Sequence, residues 1–132
     1  MAFEFLEHPS DLLIKATGKT VEEVFTNMMS GVASYIGGEA GVPSEEQPYS
    51  IEIEGDSYLN LLVRFLNELL FLTETEERIF TRVEFEELTE NLLKANVYGG
   101  EGELVEQIKG ATYRSSFEKN PEGFEARVVF DV

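Results

Sequence analysis

Residues 57–72 read Ser-Tyr-Leu-Asn-Leu-Leu-Val-Arg-Phe-Leu-Asn-Glu-Leu-Leu-Phe-Leu, and no stretch restricts the fold more. Leu59, Leu62, Leu66, Leu69 and Leu70 recur at the three- and four-residue steps of a helix face. Val63, Phe65 and Phe71 widen that face and leave Arg64, Asn67 and Glu68 as a narrow polar edge. A helix this apolar is buried along most of its length, so other elements must wrap it. It is too short and too interrupted to span a bilayer, which takes about 20 apolar residues in a row. Gly55-Asp56-Ser57 supplies a break and two candidate N-caps ahead of it.

The rest of the chain supplies the wrapping. Phe3-Glu4-Phe5-Leu6-Glu7 alternates apolar and charged residues as a half-buried strand does. His8-Pro9-Ser10-Asp11 breaks it, and Leu12 to Ala16 resumes an extended pattern that Gly18 ends. Thr20-Val21-Glu22-Glu23 is a capping box. The helix behind it carries Val24, Phe25, Met28, Met29, Val32 and Tyr35 and stops at Gly37-Gly38. Residues 38–48 read as a loop, and Tyr49 to Glu54 as a strand leading into the central helix. Thr73 to Arg78 reads as a charged loop. Ile79 to Glu87 and Leu92 to Tyr98 form a hairpin, followed by an open loop at Gly99–Gly102. Ile108 to Glu118 reads as one long strand, turned at Asn120-Pro121-Glu122-Gly123 into Phe124 to Val132. The expectation is an α+β fold: one two-layer domain over residues 1–132, in the order ββαβαββββ. Two helices pack on one side of a largely antiparallel sheet of about seven strands.

Composition narrows the function. With 26 acidic against 10 basic residues the formal net charge is −16, a surface that repels phosphate backbones. Direct nucleic-acid binding is not expected; cations and basic protein surfaces are. The absence of cysteine removes disulfides and thiol chemistry and fits a reducing cytoplasm. Neither a signal peptide nor a membrane span is expected, since Met1 leads straight into an alternating strand pattern. One histidine and no cysteine leave no zinc-finger pattern and no Cys–His dyad. No phosphate-binding glycine loop occurs, and His8, Ser10 and Asp11 share one turn, where they cannot face one another as a triad.

Two carboxylates stand out. Only Asp11, Asp56 and Asp131 among the acids are aspartate, so each marks a place where a short carboxylate suits a cap or a ligand. Asp11 sits at the junction of the first two strands, and Asp131 follows the apolar run Val128-Val129-Phe130. Asp131 is either a solvated strand end or a ligand. If the two meet near the oxygens of Val132 they make an all-oxygen site, suited to Ca²⁺ or Mg²⁺ rather than zinc. Calcium takes about six to eight oxygens, so water or a partner would complete the shell.

Five segments carry a resemblance. They are Phe3-Glu4-Phe5-Leu6-Glu7-His8-Pro9-Ser10-Asp11, Gly18-Lys19-Thr20-Val21-Glu22-Glu23-Val24-Phe25 and Phe65-Leu66-Asn67-Glu68-Leu69-Leu70-Phe71-Leu72. Lys109-Gly110-Ala111-Thr112-Tyr113 and Glu125-Ala126-Arg127-Val128-Val129-Phe130-Asp131-Val132 complete the set. In order and spacing the chain resembles the archease family from end to end. That resemblance implies a small acidic cytoplasmic protein, not itself an enzyme. Such a protein activates the GTP-dependent tRNA-splicing RNA ligase by promoting its guanylylation and repeated turnover. It also implies a divalent-cation site, calcium by description, at Asp11, Asp131 and Val132. One departure concerns Arg114, which stands where the family commonly has a histidine, two residues after Thr112. The change bears on metal affinity or partner contact.

Other residues carry two readings each. His8 is a hydrogen-bonded turn anchor or a ligand. Glu68 reaches the site or faces solvent. Lys109 pairs an aspartate or lies on an ordinary strand face. Two further functions stay open. One, also proposed for the family, is a chaperone-like adaptor that keeps tRNA-modifying enzymes such as a tRNA methyltransferase in their working oligomeric state. The other is a metal-dependent hydrolase using paired carboxylates, which needs an apolar pocket around one of them.

Overall fold

The computed structural model describes residues 2–8, 11–37 and 47–132. The elements follow in the order β1 (Phe3–Leu6), β2 (Leu12–Gly18), α1 (Val21–Gly37), β3 (Tyr49–Glu54) and α2 (Tyr58–Glu76). Then come β4 (Arg78–Leu88), β5 (Leu92–Glu101), β6 (Gly110–Ala111), β7 (Ser116–Asn120) and β8 (Gly123–Asp131). The fold is α+β and every strand pair is antiparallel. The described strands form two sheets rather than the single sheet expected. A five-stranded sheet runs β1-β2-β8-β6, with β7 also on β8, and a three-stranded sheet runs β3-β5-β4. Hairpin patterning shows which neighbours pair but not where one sheet ends and another begins.

Local chemistry explains the helices. The Thr20 hydroxyl accepts from Glu23 N at 3.1 Å, and the Glu23 carboxylate accepts from Lys19 N at 2.6 Å. The capping box therefore closes one residue earlier than its usual form. Helix α2 starts at N-cap Ser57, whose side chain accepts from Asn60 N. It does not stop at Leu72. Thr73 is buried and carries the helix on to Glu76, and Glu77, at φ 55°, turns the chain out. Charge in the last turn does not break a helix when one of its side chains still has a core to enter. Phe71, placed on the apolar face from spacing alone, is 57% exposed and belongs instead with Arg64, Asn67 and Glu68.

Both helices are wrapped as the apolar run requires. Helix α1 packs on β1, β2 and β8 of one sheet and on β4 of the other, and α2 touches β3 and β4 as well as β6 and β7. The junction is aromatic. Phe25 of α1 meets Phe65 of α2 at 5.9 Å, and Phe85 of β4 and Phe117 of β7 at 6.2 Å each. A phenylalanine enclosed in this way typically costs about 3–5 kcal/mol when cut to alanine.

Two glycine readings change in the structure. Gly99 and Gly100 are not an open loop but lie within β5, paired with Phe80 and Ile79. A Cβ on Gly99 would stand 2.1 Å from the Ile79 carbonyl oxygen, so glycine here permits two backbones to approach. Gly123 behaves as the turn signal implied: its φ of 143° lets β7 reverse into β8.

The long strand expected over Ile108 to Glu118 is broken. Ala111 pairs with Phe130 and Ser116 with Arg127, so Thr112 to Ser115 bulge out opposite only Val128 and Val129. Side chains tie the bulge down. The Thr112 hydroxyl donates to Val129 O at 2.9 Å, and the Ser115 hydroxyl donates to Thr112 O at 2.7 Å while accepting from Val129 N.

Candidate functional site

The site lies on the rim of the five-stranded sheet, and register creates it. Leu12 pairs with Phe130, so the next position out sets Asp11 beside Asp131, although 120 positions separate them in sequence. Leu12 and Phe130 are both buried, and side chains alternate along a strand. Asp11 and Asp131 therefore face outward, with Leu13 and Val129, away from the core. On the far edge of β8, Gly110 pairs with Asp131, and Lys109 N donates to Asp131 O at 2.8 Å.

The bulge brings a third charge. Arg114 Nη2 lies 3.3 Å from Asp11 Oδ2, a hydrogen bond, and 3.6 Å from Asp131 Oδ1. One guanidinium nitrogen thus bridges carboxylates from the two ends of the chain. Asp11 is the shielded member, its side chain 18% exposed against 55% for Asp131 and 62% for Arg114. Exposed ion pairs contribute little, so the Asp11 contact is the stronger of the two. His8 Nδ1 stands 3.5 Å from the same Asp11 oxygen and has no hydrogen-bond partner among the described residues. Pro9 and Ser10 of that turn lie outside the described residues.

The remaining candidates divide. Val132 follows Asp131 directly and is exposed. Glu68 is exposed on α2. Lys109 is exposed, and its ammonium pairs with neither aspartate, so its link to the site is through the backbone.

Asn67, part of the polar edge of α2, has a role that spacing does not reveal. Its side-chain amide donates to Ala111 O at 3.1 Å and its carbonyl accepts from Ala111 N at 2.8 Å, which moors β6 to α2. Asn60 donates to the Tyr113 hydroxyl at 2.9 Å and steadies the bulge from the same helix. Asn60 and Asn67 stand on the outer edge of an otherwise apolar helix, a placement that does not by itself tell a strand contact from solvent. Thr112 and Ser115, both able to bond nearby backbone, were the signal for the bulge.

The donor chemistry can be tested against the cation expected at this rim. Carboxylate and carbonyl oxygens suit a hard dication, and Asp11 Oδ2 and Asp131 Oδ1 converge on one point. That point carries Arg114 Nη2. Among the described residues no group of three or more His, Cys, Asp or Glu side chains is disposed to hold a metal. The donors are of the right kind, but Arg114 already occupies their meeting point. The hydrolase reading fares worse, because the near neighbours of Asp11 are the polar His8 and Arg114 rather than an apolar wall.

A separate cleft of about 430 Å³ opens beyond β6. Buried Ile36, Leu70 and Ile108 line it together with exposed Glu74, Glu77 and Glu106. Val105 N donates to Ile36 O at 2.8 Å and closes one side. No helix among the described residues is long and apolar enough to cross a membrane.

Two helices packed on two antiparallel sheets, with a net charge of −16, make this a small acidic α+β protein. The model of the Archease protein family (MTH1598/TM1083) matches residues 3–132. A protein archease from Methanosarcina mazei is 33% identical, over 98% of this chain and 95% of its own. The solution structure of Methanobacterium thermoautotrophicum protein 1598 superposes with a TM-score of 0.79 at 25% identity, covering 99% of each chain. The crystal structure of a Thermotoga maritima protein, described as "an archease, possible chaperone", gives 0.64 at 18% identity over 96% of this chain and 94% of that one. The chain belongs to the archease family.

Proposed function

We propose that this protein is a non-catalytic activator of the tRNA-splicing RNA ligase, acting in the cytoplasm through the Asp11–Asp131 rim. The observation that carries the reading is the convergence of these two aspartates from opposite ends of the chain. They are the residues at which the family resemblance implies a divalent-cation site, with calcium as the proposed ion. Asp11, Asp131 and the oxygens of Val132 would hold the ion, and its chemistry would be to present positive charge to a partner's anionic groups. The net charge of −16 supports a protein partner over direct contact with RNA.

The test is the ligase's guanylylation rate, with GTP and metal, with and without substoichiometric amounts of this protein. Acceleration is expected. Asp11→Ala and Asp131→Ala proteins should fold but lose about tenfold or more of the stimulation, the scale of a lost charged contact. Folded variants that stimulate normally would remove the rim from the mechanism.

A chaperone-like adaptor for tRNA-modifying enzymes such as a methyltransferase is the second reading. The words "possible chaperone" attached to the Thermotoga maritima protein favour it, as does the acid-rimmed apolar cleft at Ile36, Leu70 and Ile108. It predicts suppressed aggregation of the partner enzyme and no effect on guanylylation.

A further inference from the structure

We propose that Arg114 is the resident cation of the Asp11–Asp131 pair, and that a divalent ion enters only by displacing it. The inference rests on the reading that these two aspartates form the site. Both carboxylates approach the same nitrogen, at 3.3 and 3.6 Å. An ion bound to both aspartates at about 2.3–2.6 Å would take the two oxygens that Nη2 now holds. Guanidinium and dication therefore compete for the same pair of oxygens.

Charge acts in the same direction. Two aspartates side by side attract a dication with two negative charges; with Arg114 between them the local net charge is minus one. The guanidinium is also delivered by its own backbone. Arg114 N donates to Thr112 Oγ1 at 3.3 Å, and Thr112 and Ser115 are bonded to Val129 of β8, so the arginine stem starts from a fixed place. A tethered ligand competes at a high effective concentration. The side chain is nevertheless 62% exposed, and no burial prevents it from swinging out into water. The exchange is reversible, and Arg114 sets the affinity of the site.

The size of the effect follows from the population of the open state. If the guanidinium leaves the aspartates about one time in ten, the apparent affinity for the ion falls about tenfold. The coupling is reciprocal, so a bound dication releases Arg114 to the same degree.

The experiment is calorimetric titration of the purified full chain with calcium chloride alone, in metal-free buffer at fixed ionic strength, without any ligase. The wild type, Arg114→Ala and Arg114→Gln are compared, with Asp11→Asn added to the Arg114→Ala background, and each protein's thermal transition confirms folding. The expected result is binding about tenfold or more tighter in both single variants, with the gain abolished by Asp11→Asn. Equal affinity in wild type and variants would overturn the proposal. So would variants that bind no calcium, or a gain that survives Asp11→Asn. Because no ligase is present, an inactive protein in the guanylylation assay refutes the activator reading and leaves this result standing.

Discussion

At the scale of single residues, the rim depends on side chains that never touch it. Asn67 satisfies both backbone groups of Ala111, and Ala111 opens the segment that carries Arg114. Replacing it by alanine leaves Ala111 N and O to water or to nothing. We expect Asn67→Ala to lower stability by about 1–2 kcal/mol in urea denaturation. We also expect it to loosen the bulge, read as faster amide exchange at Thr112 and Arg114. Unchanged exchange there would mean that β8 alone holds the segment. Asp11 and Asp131 could be chosen from the sequence because aspartate is scarce in a chain rich in glutamate. Asn67 could not, because a polar residue on the edge of a buried helix looks the same whether it faces water or a neighbouring strand.

At the scale of elements, alternation and capping made most of the strands and both helix starts legible. Three misjudged stretches share one cause, namely that the deciding contact is distant in sequence. Helix α2 runs past Leu72 because Thr73 finds a buried place. The segment after Ile108 breaks past Thr112, whose N and hydroxyl both bond Val129 O, because the Ser115 side chain then takes Val129 N. Gly99, which reads as punctuation, is a strand residue whose missing side chain admits Ile79 O. Gly99→Ala forces a Cβ against backbone that has no rotamer to change. It should destabilise by about 1–3 kcal/mol or more in chemical denaturation, in contrast to an alanine replacement at exposed Glu101. A neutral result would show that the β4–β5 ladder can part there at no cost.

At the scale of the molecule, a net charge of −16 rests on a core that both sheets and both helices share. Few cations are available to offset it, and several of them, including Lys15 with Glu4 and Glu125, are already paired. Self-repulsion should outweigh the pairs, so salt should stabilise the fold. Raising ionic strength from roughly 10 mM to roughly 150 mM shortens the screening length from about 30 to about 8 Å. The melting temperature is expected to climb by about 3 °C or more over that range. A fall instead would mean that the ion pairs dominate the balance. The division into two sheets, invisible to local patterning, matters at this scale too, since each helix packs on strands of both. The bulge has a consequence of its own. It inserts two residues opposite Val128 and Val129, and two is an even number. Parity is kept: Ala111 and Phe117, on either side of it, both pack against the core. β4 shows the other solution, single extra residues absorbed locally between Phe80 and Arg82 and between Phe85 and Glu87, with Val83, Phe85 and Leu88 still against the core. The sheet can therefore vary what its rim displays, Arg114 included, without rewriting its interior.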